Sequence, residues 1–464
     1  LAAACAAVTA LVFLPAVRFP FLDWDDGVNV VRNPNLNFGG SGLAWMLTGS
    51  SLGHWHPLTW FTLAFDRALW GGAPAGYHLT GVLLHALNSA LFFLAARRLL
   101  LSVDVRGARA DAGALFASLF WALHPLRVES VAWISERRDV LSAAFLLTSV
   151  LAYLRGADEG DGAAGDRWRL AALGFGAAAM ASKVFAVVLP AVFLVLDAGR
   201  RGRPRWKEKI PWAAPVGIAL AFNLVAQSRS EAAVSWSDFG LKARLAQAVY
   251  GLAFYVWKTV WPSNLGPLYE RSLLLEPAPF AFAAIAVLAA SAAVWTARRR
   301  FPRPARMMLI YVLFALPALG LFKSGRMTAA DRYSYLPGLP LSLLAGAALA
   351  RIQSRRIFAG VAVLAIVSVG LITERQLPVW SSDVALWTRA CRVSPLSYFA
   401  RLKLASAEEA DGLAVLGAAD RQEAARIHAE VFNRAASIYA ARGDGAAEAA
   451  ARASAERGLQ LAVP

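Results

Sequence analysis

Cysteine is nearly absent. The two that occur, Cys5 and Cys391, lie far apart among 464 residues, which excludes a disulfide framework and any cysteine-based metal spacing. Charge is scarce as well: 17% of residues are charged, against about 25% in a soluble domain, so a soluble globular enzyme is excluded as the simple reading. No Walker-type phosphate loop, Gly-Xaa-Ser-Xaa-Gly elbow or His-Glu-Xaa-Xaa-His zinc signature occurs, and cytoplasmic nucleotide chemistry has no support. The net charge of +16 does not signal nucleic acid, because Lys and Arg are not gathered on one face with aromatics between them. The chain opens at Leu1 inside an apolar run, without Met or a basic leader region. The true N-terminus is therefore expected upstream, and a signal peptide stays open at this end.

What is abundant is apolar residues, 58% of the chain with a mean hydropathy of +0.48. They fall in stretches near the ~20 residues that carry a helix across a bilayer, which predicts an all-α polytopic membrane protein. Eleven spans are expected, at about 1–20, 77–97, 111–125, 138–154, 168–182, 184–198, 211–227, 279–297, 306–322, 333–350 and 357–373. Between them lie basic links: Arg97, Arg98, Arg106 and Arg109; Arg155, Arg167 and Arg169; Arg200 to Lys209; Arg298 to Arg306; Arg351, Arg355 and Arg356. Such links read as cytoplasmic by the positive-inside rule, which sends 21–76, 126–137, 228–278 and 323–332 to the opposite side. Counting 245–262 as a further span would break this parity, so that stretch is read as an interfacial or re-entrant helix, which Trp257, Lys258 and Trp261 suit. The N-terminus is then inside and the C-terminus outside. From residue 374 to 464, Ala, Glu and Arg at helical spacing predict a small soluble helical tail of degenerate tetratricopeptide-like hairpins on the non-cytoplasmic side, available to a protein partner.

Two polar groups share the non-cytoplasmic side. The long segment 21–76 opens with Asp23-Trp24-Asp25-Asp26, where neighbouring carboxylates repel one another and raise a pKa, a setting suited to a general base; a solvated loop or helix cap would use the same residues. The segment 124–139 carries Arg127, Glu129, Glu136, Arg137, Arg138 and Asp139, too many ionisable groups for a membrane boundary without pairing or use. Lys183, Lys323, Arg326 and Arg332 add cations that could hold a phosphate, since guanidinium forks match its oxygens. His54, His56, His78, His85 and His124 have no metal-ligand spacing, and interfacial or core roles fit them better.

Read together, these pieces resemble a family. Asp23-Trp24-Asp25-Asp26 with Asn33-Pro34, His56-Pro57-Leu58-Thr59, Gly76-Tyr77-His78-Leu79-Thr80, His124-Pro125 with Glu129, Arg137-Arg138-Asp139, Ser182-Lys183 and Asp331-Arg332-Tyr333 resemble, in order, the membrane domain of the TMTC-type O-mannosyltransferases and their bacterial relatives. The resemblance implies a GT-C glycosyltransferase domain over 1–373 that moves a sugar, mannose in that family, from polyprenyl phosphate to a hydroxyl such as protein Ser or Thr. It implies inverting transfer without metal or other cofactor. Asp25 or Asp26, with Asp25 preferred, is then the base, and Arg137, Arg138, Lys183 and Arg332, with His56, His124 and Glu129, hold the donor. The expected setting is a bacterial inner membrane with the site on its periplasmic side. A glycolipid or cell-wall glycan acceptor, a transporter and a non-catalytic scaffold are the competing readings.

Overall fold

A computed structural model describes residues 1–102, 105, 107–200, 202–230, 240–272, 274–321 and 327–457. Among the described residues the chain forms nineteen α-helices linked by short tight helical turns, and the only β pairing is two isolated bridges, Ser51 with His54 and Tyr269 with Ala329. The fold is all-α, as the apolar periodicity requires.

Five helices are long and apolar enough to cross a membrane: Pro74–Leu101, Ile134–Glu159, Trp206–Ser228, Pro277–Ala297 and Arg355–Trp380. The other expected spans coincide with shorter helices, among them Ala2–Phe13, Ala108–Ala122, Leu189–Arg200 and Gly338–Leu349. Several are short because polar or extended residues interrupt them. Lys183, for instance, ends the helix Ala163–Ser182 in extended backbone (φ −156°, ψ 125°) before a tight turn leads into Leu189–Arg200. Proline begins Pro57–Trp70, Pro74–Leu101, Pro277–Ala297 and Pro302–Ala315, where its missing N–H costs nothing.

Burial sorts the long helices. Ile134–Glu159 is 72% buried and runs through the centre, whereas Pro277–Ala297 and Arg355–Trp380 are 11% and 17% buried. An apolar helix left so uncovered by protein has lipid as its solvent, and the chain is a multi-pass integral membrane protein. Elsewhere small residues bring backbones together: a Cβ on Gly346 would stand 2.4 Å from the Gly113 carbonyl oxygen.

The stretch read as interfacial forms the helix Leu241–Val260. Near its start Gln247 donates to the Met327 carbonyl (3.1 Å), and near its end the Thr259 carbonyl meets His124 (3.1 Å). Met327 and His124 belong to the segments 323–332 and 124–139, which the charge pattern assigns to one side.

The tail consists of Asp383–Val393, Tyr398–Ala410, Ala414–Ala441 and Gly445–Arg457, packed pairwise in chain order. Ser382 and Ser397 cap the first two, accepting from the backbone N–H of Ala385 and Ala400 (both 3.1 Å). Leu386, Trp387 and Ala390 of the first helix, with Leu404 of the second, are buried in the same core as the membrane helices.

Candidate active site

The acidic loop follows the first helix and turns back at a single π-helical turn, Gly27–Val31. Its three carboxylates have different surroundings. Asp23 is exposed, 3.8 Å from Arg32, and its backbone N–H donates to Asp383 of the tail (2.8 Å). Asp26 is buried and fully engaged: Oδ1 accepts from the Ser135 N–H (2.9 Å) and hydroxyl (2.6 Å), and Oδ2 accepts from the Leu22 N–H (3.1 Å). Burial pushes its pKa up to about 6 against the lowering effect of the Ser135 hydroxyl. Asp25 is partly buried, and its carboxylate has no hydrogen bond among the described residues. Burial raises its pKa, opposed by the positive fields of Arg138 and Arg332. Of the three, Asp25 alone offers a lone pair held close to cations and not already committed.

The backbone next to Asp25 is fixed by aromatic stacking. The Trp24 ring lies 4.6 Å from Trp133, 5.0 Å from Trp387 and 6.4 Å from Trp380 between centroids. Lys403 reaches the Asp23 carbonyl at 3.5 Å. Two segments of the membrane body and the tail thus close on one tryptophan beside Asp25.

Behind the loop lies a dry charge cluster. Glu136, fully buried, pairs with Arg138, with Lys183 (3.3 Å) and with the Arg332 Nε (3.2 Å). Lys183 also reaches Asp139 at 2.5 Å, and Arg332 pairs with Glu129 through its side chain and donates its backbone N–H to the same carboxylate (2.8 Å). Three cations face three carboxylates, with Arg332 also lying over the Trp133 ring at 5.4 Å. Because the cations are already matched, the cluster can exist at low dielectric without an unpaid charge, yet an arriving anion can still compete for their N–H donors. Arg138, at 9%, is the most exposed of the six.

Sequence had grouped four cations; the structure brings together Arg138, Lys183 and Arg332 and turns Arg137 away. The Arg137 guanidinium pairs with Asp66 at 2.7 Å and donates to the Tyr77 carbonyl at 2.5 Å, with both side chains almost wholly buried. Consecutive residues on a helix point about 100° apart, so neighbours in sequence here serve different places. His56 stacks against Trp60 (4.2 Å), and burial together with the Arg138 charge holds its imidazole well below the usual histidine range, hence neutral. His124 is occupied by the Thr259 carbonyl and the Leu126 N–H (3.3 Å), away from the cluster but fixing the segment that carries Glu129. Lys323 and Arg326 lie outside the described residues. Among the described residues no three His, Cys, Asp or Glu side chains are grouped to hold a metal ion.

Sequence reasoning passed over Ser135, Asp66 and the tryptophan stack. Asp66 did leave a signal, as a lone carboxylate in the helix PLTWFTLAFDRALW.

Comparison with known proteins adds a second line. Over 163 residues the chain is 32% identical to protein O-mannosyl-transferase Tmtc1 of Drosophila melanogaster, covering 33% of this chain and 18% of that protein. It is 32% identical over 201 residues to human protein O-mannosyl-transferase TMTC4, covering 38% of this chain and 27% of that protein. The chain is a distant relative of the TMTC-type protein O-mannosyltransferases. It spans less than a third of the length of these curated TMTC relatives. No family model matches the chain. Among solved structures, ArnT from Cupriavidus metallidurans bound to undecaprenyl phosphate aligns over 99% of this chain and 75% of that one, at 17% identity and a TM-score of 0.41.

Proposed function

We propose that this protein is a GT-C-type glycosyltransferase that takes a sugar from a polyprenyl phosphate and passes it, with inversion, to a hydroxyl on the non-cytoplasmic side. The sugar in this reading is mannose and the acceptor a protein Ser or Thr, in keeping with the TMTC relatives' names. One observation carries the proposal: Asp25, a partly buried carboxylate without a hydrogen-bond partner, stands in the field of Arg138 and Arg332, on the side where a lipid-borne headgroup would arrive.

The roles follow from the geometry. Asp25 takes the acceptor's proton as the hydroxyl oxygen bonds to the anomeric carbon. The bond from that carbon to the phosphate oxygen breaks on the opposite face, and the electron pair leaves with the polyprenyl phosphate. Arg138 and Arg332 donate N–H groups to that phosphate, exchanging part of their bonding to Glu136 and Glu129, while Lys183 keeps Glu136 and Asp139 in place. A lipid phosphate is a stable leaving group and needs no proton donor, which fits a site with one uncommitted carboxylate. Asp26 holds the loop to Ser135, and His56 remains an uncharged wall.

The test is to incubate the purified protein with radiolabelled polyprenyl-phosphate-mannose and a Ser/Thr-rich peptide. Labelled peptide and free polyprenyl phosphate are expected; absence of both, with peptide and with membrane extract as acceptor, overturns the proposal.

A further inference from the structure

A second basic feature lies apart from the charge cluster, where the tail meets the last membrane helix. A cleft of about 510 Å³ is lined by Arg375 at the end of that helix, by Arg389 and Arg392 of the first tail helix, and by the apolar Leu265, Ile372 and Val379. No acidic side chain lines it; Glu374, next to Arg375, is exposed and does not face it. None of the three arginines forms an ion pair among the described residues, and Arg389 spends only its Nε, on the Leu265 carbonyl (2.6 Å). Elsewhere Arg97, Arg98, Arg169, Arg200 and Arg205 pair with carboxylates.

The surroundings identify the kind of ligand. The helix leading to Arg375 presents Leu364 (70% exposed) and Leu371 (51% exposed) outward, the surface of a helix solvated by acyl chains. On the other flank, beside Pro262, Trp257 and Trp261 are likewise exposed at the end of the interfacial helix, the position tryptophan takes at the headgroup level. Uncompensated guanidinium groups thus stand at the edge of an acyl-chain surface, and their planar forks match phosphate oxygens.

We infer that this cleft binds the phosphate headgroup of an anionic phospholipid from the non-cytoplasmic leaflet, seating its chains along the Arg355–Trp380 helix and its headgroup between that helix and the tail. The single negative charge of the bound lipid offsets part of the charge of the three arginines, and the lipid joins the tail to the membrane surface. The site is separate from Asp25 and the buried cluster, and the inference stands whether or not the sugar-transfer reading holds.

Native mass spectrometry of the full chain, released from micelles containing phosphatidylglycerol or phosphatidylcholine, tests this. One phosphatidylglycerol should be retained in preference to phosphatidylcholine and should survive millimolar inorganic phosphate. In an R375Q/R392Q variant, whose changes are at exposed positions, retention should fall by about fivefold for each arginine removed, with the melting temperature unchanged in lipid-free detergent. An R389K variant, which keeps the charge, should retain the lipid. Equal retention of the two lipids, equal retention by wild type and R375Q/R392Q, or displacement by inorganic phosphate alone would each overturn the inference, the last by making the cleft a site for free anions.

Discussion

Ion pairs on the two sides of the membrane body use the same residue types and do different work. On the side of the basic links, Arg97 meets Asp111 with 45% and 34% of the side chains exposed, and Asp158 is shared by Arg98 and Arg200 in similarly wet surroundings. On the loop side, Arg137 and Asp66 are 1% and 2% exposed, and Arg332 and Glu129 are 6% and 2% exposed. A wet pair contributes about 0–1 kcal/mol, so the basic links matter through their sign, which sets orientation. A dry pair contributes little net stability, yet removing one partner costs about 3–5 kcal/mol. Dry pairs hold unlike charges at fixed separations, as the proposed transfer between phosphate and hydroxyl requires, and one of them, Lys209 with Asp197 at 6% and 3% exposed, lies on the side of the basic links.

The sharpest test of that contrast lies within the acidic loop. Asp25→Asn should lower turnover by about 10²–10⁴-fold while donor binding and melting temperature persist, because the amide keeps the shape and cannot take a proton. Wild-type activity should rise with pH, since only the ionised carboxylate accepts; burial raises the Asp25 pKa, so the acidic limb of kcat/KM should sit above the ordinary carboxylate value of about 3.9. A limb at or below that value would remove Asp25 from the role. Asp26→Asn should act on stability instead. Its folded pKa near 6 exceeds the unfolded value, so its protonated form adds stability that is complete below about pH 3.9 and fades as pH rises through 6. Melting temperatures measured from pH 4 to 7 should lose that part of their slope in the variant.

Next in size is the strut. Arg137→Ala should cost about 3–5 kcal/mol in denaturation of the detergent-solubilised protein by leaving Asp66 charged and buried, and Asp66→Asn with Arg137→Gln should restore part of the loss. If Arg137→Ala were as stable as wild type and lost donor affinity instead, Arg137 would return to the phosphate-binding set. Smallest is the wet side: Arg97→Gln should change stability by less than about 1 kcal/mol, and that change should disappear in high salt.

Much of this contrast was legible in the sequence. Apolar run lengths mark the helices, five of which are long and apolar enough to cross a membrane. Asp25 and the segment 124–139 stood out because ionisable groups at a membrane boundary need a reason. The separation of Arg137 from Arg138 was not legible, because it depends on which neighbour each helix face meets, and Asp66 lies 71 residues upstream of Arg137. Nor was the difference between Asp25 and Asp26, which is set by the Ser135 hydroxyl from another segment. The tryptophan stack draws on Trp24, Trp133, Trp380 and Trp387, positions that only the folded chain brings to centroid distances of 4.6–6.4 Å.

That stack also bears on how such a protein can be taken apart and recombined. Composition places a border near residue 374, where long apolar runs stop, but Trp387 and Leu404 belong to the membrane body's core, and Asp383 and Lys403 hold the backbone of the acidic loop. A chimaera joined at 374 would therefore import a foreign partner for Trp24 and misplace the neighbouring carboxylate. A graft made further on, past Ala410 at the turn through Gly412, would leave Asp383, Trp387 and Lys403 native, and would have to rebuild the contact of Ala435, Ala436 and Ala451 with Leu275 and the Arg401–Asp420 and Arg421–Glu409 pairs.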